Sequence, residues 1–404
     1  MRICDITNFY HEKSGGVKTY LHRKIDYIAR YRCDEHLVIV PGPVDSVKRE
    51  GRSVICRVGS PELPFARPYR LMVNLWRVNR LVEQFRPDLV EVGCPYFLPW
   101  AIAARRKAGF KLVGFYHSDF PRAYVRTTSR IIGEIPAAVL ERGAFAYVRA
   151  MYRRMDLTLA PSLAAASTLA LHGVKGVQVL PLGVDLEHFH PRRRTQRLRL
   201  RLGISPERIL LLYVGRFARE KGLDVLQQAF AHLARQYPGR FHLLLVGEGD
   251  LGGVLREWAA ERDDATVWGY LQGKELAEVY ASADLFVTAG RAETFGLTIL
   301  EAQASGLAVV AVATGAAPEA VAPGTGRLVV PGDPAAMAGA IAALAGQNLR
   351  TLGLQARRHM EVGYGWENTF NRLFAHYMKL LGCRSREREA ALSSGATGRR
   401  IAGA

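Results

Sequence analysis

Two short glycine-containing loops in the second half of the chain carry side chains suited to binding a phosphorylated ligand. The first loop, residues 213–222, leaves an apolar strand pattern through a glycine and contains Arg216 and Lys221. A forked guanidinium and a point-like ammonium in one loop fit the oxygen atoms of a diphosphate. For either cation taken alone, a solvated surface charge remains the alternative.

The second loop, residues 290–302, follows a short apolar run and supplies two carboxylates beside a predicted helix start. Gly296 permits a close approach of the backbone to a ligand, and a helix from about Leu297 offers free amide groups and a positive dipole end. Glu293 can accept hydrogen bonds from sugar hydroxyl groups, and Glu301, about two helical turns further on, can accept those of a ribose. The alternative for each glutamate is an ordinary solvated side chain.

Short apolar runs alternate with helical periodicity along most of the chain and predict the elements that position these loops. The predicted strands are 37–40, 89–92, 111–116 and 157–160 in the first half, and 209–214, 241–246, 285–288 and 308–311 in the second. Strands of this kind, separated by helices, indicate parallel sheets that are covered on both faces. We therefore predict an α/β fold of two similarly built lobes with a cleft between them, and ligands beyond the carboxyl ends of the strands.

The same pattern divides the chain into five parts. We place the first lobe at 1–186, a basic linker at 187–202, the second lobe at 203–365 and a final helix at 366–382, which we expect to pack back toward the first lobe. The tail, 383–404, is rich in Arg, Ser, Gly and Ala, and such a composition predicts a disordered basic segment.

Composition excludes several other classes of protein. With 49% hydrophobic and 23% charged residues among 404, the chain is neither disordered nor fibrous. It contains no apolar run of about 18 residues that could span a membrane, and its N-terminus enters a strand pattern at once, so we expect an intracellular protein without a signal peptide. The five cysteines are scattered along the chain, which argues against a disulfide framework or a zinc site.

The turn 247–253 formally contains a GxGxxG motif. A dinucleotide-binding fingerprint also requires an acid about 20 residues further on, where Tyr270 and Leu271 stand instead. Glu248 and Asp250 in the same turn superficially resemble an acidic metal motif, but the sequence has no cluster of Cys and His with metal-ligand spacing. We therefore predict neither a dinucleotide site nor a metal site of Cys and His.

Three motifs, in this order along the chain, support a family assignment. Gly15-Gly16-Val17 stands near the N-terminus, Gly-Arg-Phe-x3-Lys-Gly spans 215–222, and Glu293 and Glu301 form an E-x7-E pair. Together with the double α/β pattern, these motifs resemble family 4 of the retaining glycosyltransferases, which have the GT-B fold of two Rossmann-like lobes. The resemblance covers most of the chain and is clearest in its second half.

The resemblance implies that the second lobe binds the donor, a sugar linked to uridine or guanosine diphosphate. Arg216 and Lys221 would bind the diphosphate, Glu293 would hold the hydroxyl groups of the donor sugar, and Glu301 would hold the ribose. Backbone groups at the helix start and at the nucleobase would complete the site: Phe295, Gly296, Leu297 and Thr298, and Gly269 and Tyr270. No further cofactor and no metal ion are implied, since fixed cations and helix-end amides can stabilise the leaving diphosphate.

In the first lobe, the resemblance implies that Gly15 and Gly16 let the chain approach the donor phosphates. His117 matches the family's histidine beside the reacting sugar carbon, and Asp119 stands where the family often has an acid. The implied catalytic residues are His117, Glu293, Arg216 and Lys221. The reaction would retain the anomeric configuration of the sugar, and no enzymatic nucleophile is evident.

The first lobe, which the resemblance implies would bind the acceptor, is also the basic one. The formal net charge of the chain is +18, and residues 1–186 carry 28 Lys and Arg against 16 Asp and Glu. Such a charge favours a polyanionic partner, either an anionic membrane leaflet, a nucleic acid or an anionic small substrate. A contribution to solubility alone remains the alternative.

Two segments of this lobe combine arginines with apolar side chains. In residues 68–84 we predict a helix with an apolar stripe and a basic remainder: Leu71, Leu75, Val78, Val82 and Phe85 against Arg70, Arg77, Arg80 and the nearby Trp76. The stretch 120–155 adds seven arginines: Arg122, Arg126, Arg130, Arg142, Arg149, Arg153 and Arg154. Segments of this kind either bind an anionic leaflet or form ordinary amphipathic helices with a solvated basic face.

We therefore expect a cytoplasmic glycosyltransferase, peripheral on the inner face of the cell membrane, that moves a hexose to a membrane lipid or a lipid-linked glycan. A soluble or polysaccharide acceptor is the first alternative. A non-enzymatic, basic nucleic-acid-binding protein is the second, and no RNA-recognition signature or helix-turn-helix supports it. The sequence does not predict an oligomeric state.

Overall fold

The eight predicted strands are all present in a computed structural model of the protein, which describes residues 1–11, 15–63, 69–126, 129 and 133–382. These strands lie in two separate sheets, one in each half of the chain. The prediction of two parallel-sheet lobes is therefore confirmed.

The first lobe is built on a sheet of eight strands within the described ranges. Its strands are β1 (Arg2–Ile6), β2 (Glu35–Gly42), β3 (Ser46–Glu50), β4 (Ser53–Gly59), β5 (Leu89–Val92), β6 (Lys111–Phe115), β7 (Leu157–Ala160) and β8 (Val177–Val179). The order across the sheet is β3-β4-β2-β1-β5-β6-β7-β8, and every pairing is parallel except that of the edge strand β3 with β4. Its helices are α1 (Gly16–Tyr31), α2 (Leu75–Phe85), α3 (Leu98–Ala108), α4 (Glu134–Tyr152) and α5 (Leu163–Leu171).

The second lobe is built on a fully parallel sheet with the order β11-β10-β9-β12-β13-β14. Its strands are β9 (Ile209–Val214), β10 (Phe241–Val246), β11 (Ala265–Trp268), β12 (Leu285–Val287), β13 (Ala308–Val312) and β14 (Gly326–Val329). The helices from the linker onward are α6 (Arg197–Leu202), α7 (Leu223–Gln236), α8 (Gly252–Ala260), α9 (Gly273–Ser282), α10 (Leu297–Ala304), α11 (Ala317–Ala320), α12 (Pro334–Ala345), α13 (Leu349–Gly363) and α14 (Trp366–Leu380).

Helices cover both faces of each sheet, which explains why apolar side chains occur at successive positions of the central strands. In β5, Leu89 packs into one buried cluster and Val90 into another on the opposite face. In β9, Leu210 and Leu211 likewise divide between two buried clusters. Successive side chains of a strand point to opposite faces, so both faces of these strands need apolar residues.

The chain passes between the lobes twice, and the two passages lie side by side. The Val184 amide donates a hydrogen bond of 2.7 Å to the Tyr364 carbonyl oxygen. A β carbon at Gly183 would lie 2.6 Å from the Trp366 backbone, so only glycine fits where the two passages touch. Beyond them, α14 lies on the first lobe, where the Asn371 amide oxygen accepts a hydrogen bond of 2.6 Å from the hydroxyl of Tyr27 in α1.

The basic segment 187–202 is folded onto the second lobe through its arginines. The Arg194 guanidinium lies 2.7 Å from Asp284, and Arg199 forms a second ion pair with the same carboxylate. Asp284 also accepts a hydrogen bond from the Leu210 amide at the start of β9. These contacts neutralise part of the segment's charge and fix it against the amino ends of β9 and β12.

The helix predicted over 68–84 was placed too early. Helix α2 begins at Leu75, where the Asn74 side chain accepts a hydrogen bond of 3.0 Å from the Arg77 amide and caps the helix. Arg70 instead lies in a short antiparallel bridge with Glu62. Leu71 precedes the helix, so α2 contains four of the five residues of the predicted stripe. Val78 and Val82 are buried, whereas Leu75 is exposed.

Some predictions concern residues outside the described ranges: Pro68 in the predicted helix, Arg130 in the second basic segment, and the whole tail 383–404. Within the described ranges, no helix combines the length and the apolar composition needed to cross a membrane.

Candidate active site

Two helix N-termini meet at the cleft between the lobes. Helix α1 follows Gly15 in the first lobe, and α10 follows Gly296 in the second. A β carbon at Gly16 would lie 3.1 Å from Leu297 Cδ1, so the first residues of the two helices are in contact distance of each other. Neither helix has an acidic residue in its first turn. The free amides and positive dipole ends of both helices therefore favour an anion between them.

The predicted glycines have different surroundings. A β carbon at Gly15 would meet no atom within 4 Å, so the protein itself leaves open space there. Gly296 has a φ of +81° at the N-cap of α10, a left-handed conformation that favours glycine. Phe295 before it is buried, whereas Leu297 and Thr298 after it are partly exposed on the first turn of the helix.

Lys221 and Glu293 come together from the two predicted donor loops. Lys221 Nζ lies 2.5 Å from Glu293 Oε1, and both side chains are largely buried. The loops allow this approach because Gly290 has no side chain: a β carbon there would lie 2.9 Å from Glu293 Oε1. Arg216 is turned to Glu220 instead, at 2.6 Å, and is about half exposed. The structure therefore pairs each predicted cation with a carboxylate.

Glu301 is partly exposed on α10, and its carboxylate contacts Tyr280 of α9. The hydroxyl of the buried Tyr280 donates a hydrogen bond of 2.9 Å to Glu301 Oε2. Burial raises the pKa of Glu301 to about 7, and the Tyr280 hydrogen bond offsets only part of that effect. A carboxyl group in this state can bind the hydroxyl groups of a ribose and changes its charge near neutral pH.

The predicted nucleobase loop lies where β11 ends, next to the glycine turn that follows β10. The Trp268 carbonyl oxygen accepts a hydrogen bond of 3.2 Å from the Gly247 amide, and a β carbon at Gly269 would lie 3.8 Å from Glu248 Oε1. Tyr270 follows Gly269 and is partly exposed. Gly269 and Tyr270 therefore stand at the carboxyl edge of the second sheet.

The glycine turn after β10 supports the Arg216 loop. Gly247 has a φ of +152°, and a β carbon there would lie 1.9 Å from the Gly215 carbonyl oxygen, too close for any side chain. The Phe217 amide donates a hydrogen bond of 2.8 Å to the Glu248 carbonyl oxygen. The glycines of the GxGxxG pattern therefore allow close packing of the two loops.

His117 follows β6 at the carboxyl edge of the first sheet. Its imidazole stacks on the Phe115 ring at 3.9 Å between centroids and lies 4.9 Å from the Tyr20 ring. A β carbon at Gly93 would lie 3.3 Å from His117 Cδ2, so the glycine makes room for the imidazole. Burial lowers the pKa of His117 to about 3, and the nearby Lys24 adds to the shift. The ring is therefore neutral at physiological pH and can donate one hydrogen bond.

The Asp119 carboxylate contacts two side chains of the first lobe. The Tyr116 hydroxyl donates a hydrogen bond of 2.9 Å to Asp119 Oδ1, and Arg122 lies 3.5 Å from Oδ2. Burial raises the pKa of Asp119 above its ordinary value in spite of these partners. These contacts therefore stabilise the conformation of the loop after β6.

A buried charged network below His117 was not predicted from the sequence. Lys24 Nζ in α1 lies 2.8 Å from Asp5 Oδ1 and 3.5 Å from Glu91 Oε2, and all three side chains are almost completely buried. The Tyr20 hydroxyl donates to Glu91 Oε1 at 2.9 Å, and the Tyr377 hydroxyl of α14 donates to Oε2. The network therefore joins the first sheet, α1 and the last helix.

The pKa directions in this network follow from its charges. Burial alone would raise the pKa of Asp5, but Lys24 and His36 outweigh it, so the pKa of Asp5 is lowered. Burial also dominates at Glu91, whose pKa is raised because Lys24 is farther away and Asp5 is a like charge. The sequence does contain a signal for this network: Asp5 and Glu91 each lie inside an otherwise apolar strand. Because acids are rarely buried without a partner, such positions predict a buried cation nearby.

The described ranges contain no group of three or more His, Cys, Asp or Glu side chains that could hold a metal ion. The positive charge at the cleft instead comes from Lys221, Arg216 and the two helix ends.

Two α/β lobes with the carboxyl edges of their parallel sheets at a shared, anion-accepting cleft define the GT-B class of glycosyltransferases. Sucrose-phosphate synthase from Thermosynechococcus elongatus has the same fold: the TM-score is 0.77 at 23% identity, over 95% of this chain and 99% of that one. This likeness confirms the GT-B architecture.

The chain belongs to the family 4 glycosyltransferases. Residues 14–188 match the model described as Glycosyltransferase Family 4, and residues 208–347 match Glycosyl transferases group 1. A GDP-mannose-dependent alpha-mannosyltransferase of Mycobacterium tuberculosis is 30% identical over 393 residues, 95% of this chain and 98% of the relative. A GDP-mannose-dependent alpha-(1-6)-phosphatidylinositol dimannoside mannosyltransferase of the same species is 30% identical over 91% of this chain and 93% of the relative. The protein is therefore a glycosyltransferase, and we set aside the nucleic-acid-binding alternative.

Proposed function

We propose that the protein transfers mannose from GDP-mannose, with retention of the anomeric configuration, to a lipid acceptor at an anionic membrane surface. The observation that carries the proposal is the meeting of the α1 and α10 N-termini beside the Lys221–Glu293 pair. This arrangement fits a diphosphate with a hexose attached. The family relationship supplies the reaction class.

In this proposal the leaving diphosphate is stabilised without a metal ion. Negative charge on the diphosphate increases as the glycosyl–phosphate bond breaks. The amides of Phe295, Gly296, Leu297 and Thr298, the α1 terminus at Gly15 and Gly16, and the Lys221 ammonium would face that charge. Arg216 would leave Glu220 and contact the diphosphate, since its exposed side chain can reorient at little cost.

The sugar would be held from both lobes. Glu293 would accept hydrogen bonds from its hydroxyl groups, and the neutral imidazole of His117 would donate one from the opposite side of the cleft. As the bond to the diphosphate breaks, positive charge develops on the sugar ring. The acceptor hydroxyl would be held on the same face of the ring as the leaving diphosphate and would bond to the anomeric carbon from there. The diphosphate itself would accept the proton of that hydroxyl. Attack from that face retains the configuration and needs no enzymatic nucleophile.

The donor assignment rests on the relatives. Both mycobacterial proteins named above are GDP-mannose-dependent mannosyltransferases that align over more than nine-tenths of this chain. In our proposal the guanine would lie against Gly269 and Tyr270, and the ribose would bind Glu301. A UDP-sugar is the second candidate donor, because these contacts include few side chains that distinguish the two bases.

The lipid acceptor is supported by one relative's name and by the exposed face of α4. Ile135 is 81% exposed and Val139 is 61% exposed, one helical turn apart on the same face. Arg142 and Arg149 continue that face and are exposed. Apolar side chains at one end and arginines along the rest fit the boundary between acyl chains and anionic headgroups.

We prefer this surface to the predicted cluster of Arg70, Arg77 and Arg80, because two of those three arginines are paired with acids. Arg70 is paired with Glu62 at 2.6 Å, and Arg77 lies 3.4 Å from Asp45. In the second basic segment, Arg122 and Arg126 likewise contact Glu141. Paired arginines offer less to an anionic leaflet than the α4 face does.

The test combines donor turnover with vesicle flotation. Nucleotide diphosphate release from GDP-mannose and from UDP-glucose is measured with and without phosphatidylinositol vesicles, for the wild type and Glu293→Ala. We expect lipid-dependent GDP release that Glu293→Ala abolishes. Release from UDP-glucose alone contradicts the donor, and release that is indifferent to lipid supports a soluble acceptor instead.

Flotation tests the surface directly. Ile135→Ser with Val139→Ser, and separately Arg142→Glu with Arg149→Glu, are expected to reduce binding to anionic vesicles. The matched control is Val362→Ser, which removes an equally exposed apolar side chain from the second lobe. Binding that all variants retain contradicts the α4 surface.

A further inference from the structure

A glutamate of the second lobe caps a helix of the first. Glu319 in α11 accepts two backbone hydrogen bonds at the start of α5: its Oε2 lies 2.7 Å from the Leu163 amide, and its Oε1 lies 2.7 Å from the Ala164 amide. A carboxylate at a helix N-terminus satisfies free amides and faces the positive end of the helix dipole. Both carboxylate oxygens are used, so the contact fixes the orientation of the side chain as well as its position.

A second hydrogen bond joins the same two places. Ser162, the N-cap residue of α5, donates from Oγ to the Thr294 carbonyl oxygen at 2.8 Å. The same Oγ accepts a hydrogen bond of 3.1 Å from the Ala165 amide within its own lobe. Thr294 lies between Glu293 and Phe295, so this bond attaches the loop proposed to hold the donor sugar to the first lobe.

Glu319 is itself rigidly connected to that loop. The Ala316 amide, just before α11, donates a hydrogen bond of 2.8 Å to the Glu293 carbonyl oxygen. A β carbon at Gly315 would lie 2.5 Å from the same oxygen, so the two loops are closely packed. The Tyr364 hydroxyl donates to the Glu319 carbonyl oxygen at 3.2 Å, which connects α11 to the second passage between the lobes.

We infer that Glu319 and Ser162 form an interlobe clasp that positions the Glu293 loop against the first lobe for glycosyl transfer. Glu319 is a positioning residue, since it acts through the Glu293 loop and α5. The inference rests on the proposed donor role of Glu293. Breaking the clasp lets the lobes separate, so the donor must then restore their arrangement at the expense of its own binding energy.

The test compares Glu319→Ala and Glu319→Gln with the wild type. Glu319→Ala removes both hydrogen bonds and the charge, and we expect a larger radius of gyration in solution and a donor KM about five- to tenfold higher. Glu319→Gln keeps one acceptor oxygen, and we expect a smaller shift in both quantities. The control is Glu278→Ala, which removes a partly exposed carboxylate paired with Lys274 in the same lobe.

Unfolding temperatures separate positioning from stability. Glu319→Ala is expected to unfold only a few degrees below Glu278→Ala, because the loss of a helix cap is a modest change that leaves the buried clusters within each lobe intact. A wild-type radius of gyration together with a wild-type donor KM in Glu319→Ala overturns the clasp. If the wild type turns over no sugar nucleotide, the proposed function fails, and the scattering comparison alone then decides whether the clasp exists.

Discussion

Lys221 Nζ lies 2.5 Å from Glu293 Oε1, so the cation proposed for the donor diphosphate and the carboxylate proposed for the donor sugar form one ion pair. A donor that binds here must meet both groups at once, the phosphate at the ammonium and the sugar hydroxyls at the carboxylate. In our proposal the pair therefore orients a sugar diphosphate. The ion pair also holds both side chains in place between the two loops.

Lys221→Ala is expected to lower kcat/KM for the donor by about 10²–10³, because it removes a fixed cation from the leaving diphosphate and leaves Glu293 unpaired. Nucleotide diphosphate release measures the loss. Arg219→Ala is the matched control, since Arg219 lies in the same turn and is exposed. Equal losses in the two variants would mean that general positive charge, and not the position of Lys221, supports turnover.

Donor affinity is expected to depend on pH through Glu301. Burial raises the pKa of Glu301 to about 7 from an ordinary value of 4.5. The ionised carboxylate is the better acceptor for ribose hydroxyls, so affinity rises as the pH increases through 7 and levels off above it. Between pH 6 and 8 the donor KM should fall about tenfold if only the ionised form binds.

Glu301→Gln tests the assignment, because an amide does not titrate over this range. The variant should show a higher donor KM that no longer changes between pH 6 and 8. The intact sugar nucleotide is used throughout, since its diphosphate carries no terminal phosphate that titrates near neutral pH. A pH dependence that survives in Glu301→Gln assigns the titration to another group.

The grouping of the proposed donor residues could be predicted from the sequence because they lie close together along the chain. Arg216 and Lys221 stand five residues apart in one loop, and Glu293, Gly296 and Glu301 lie within a single strand–loop–helix unit. The parallel-sheet pattern indicates that both loops lie at the same edge of one sheet. The direct contact between Lys221 and Glu293 could not be predicted in this way. The distance between the two loops depends on Gly290 and on tertiary packing, which the spacing of residues in the sequence does not show.

The contacts that join distant parts of the chain could not be predicted. Lys24 and Tyr377 are 353 residues apart and meet only because the last helix returns to the first lobe. Glu319 and Leu163 are 156 residues apart and lie in different lobes. The prediction for α2 is wrong for a local reason. The helical periodicity extends to the N-terminal side of Asn74, but the Asn74 side chain caps the helix and its first turn begins at Leu75.

Lys24→Met should destabilise the first lobe strongly. The substitution leaves Asp5 and Glu91 buried without their shared cation. Removing one partner of a buried ion pair in this way lowers the free energy of unfolding by about 3–5 kcal/mol. Urea denaturation of the full chain, followed by intrinsic fluorescence, measures the change. Lys379→Met on the exposed side of α14 is the control. A denaturation midpoint equal to that of the control would show that the network adds no net stability.

The contact between Gly16 and Leu297 predicts a steric rescue. Gly16→Val should push the α1 and α10 N-termini apart, at a cost of about 1–3 kcal/mol in overpacking, and lower donor kcat/KM. Leu297→Ala in the same chain removes the opposing atom and should restore part of the activity. Gly339→Val, where a β carbon meets no atom within 4 Å, controls for the effect of the substitution itself. No recovery in the double variant would place the defect elsewhere.

Transfer of labelled mannose tests the central claim most directly. The wild-type protein is incubated with GDP-mannose carrying ¹³C at the anomeric carbon and with phosphatidylinositol vesicles, and the lipid fraction is analysed by NMR. We expect labelled mannose in the lipid fraction, linked in the α configuration of the donor. Label that stays in GDP-mannose, or a product in the β configuration, contradicts the central claim.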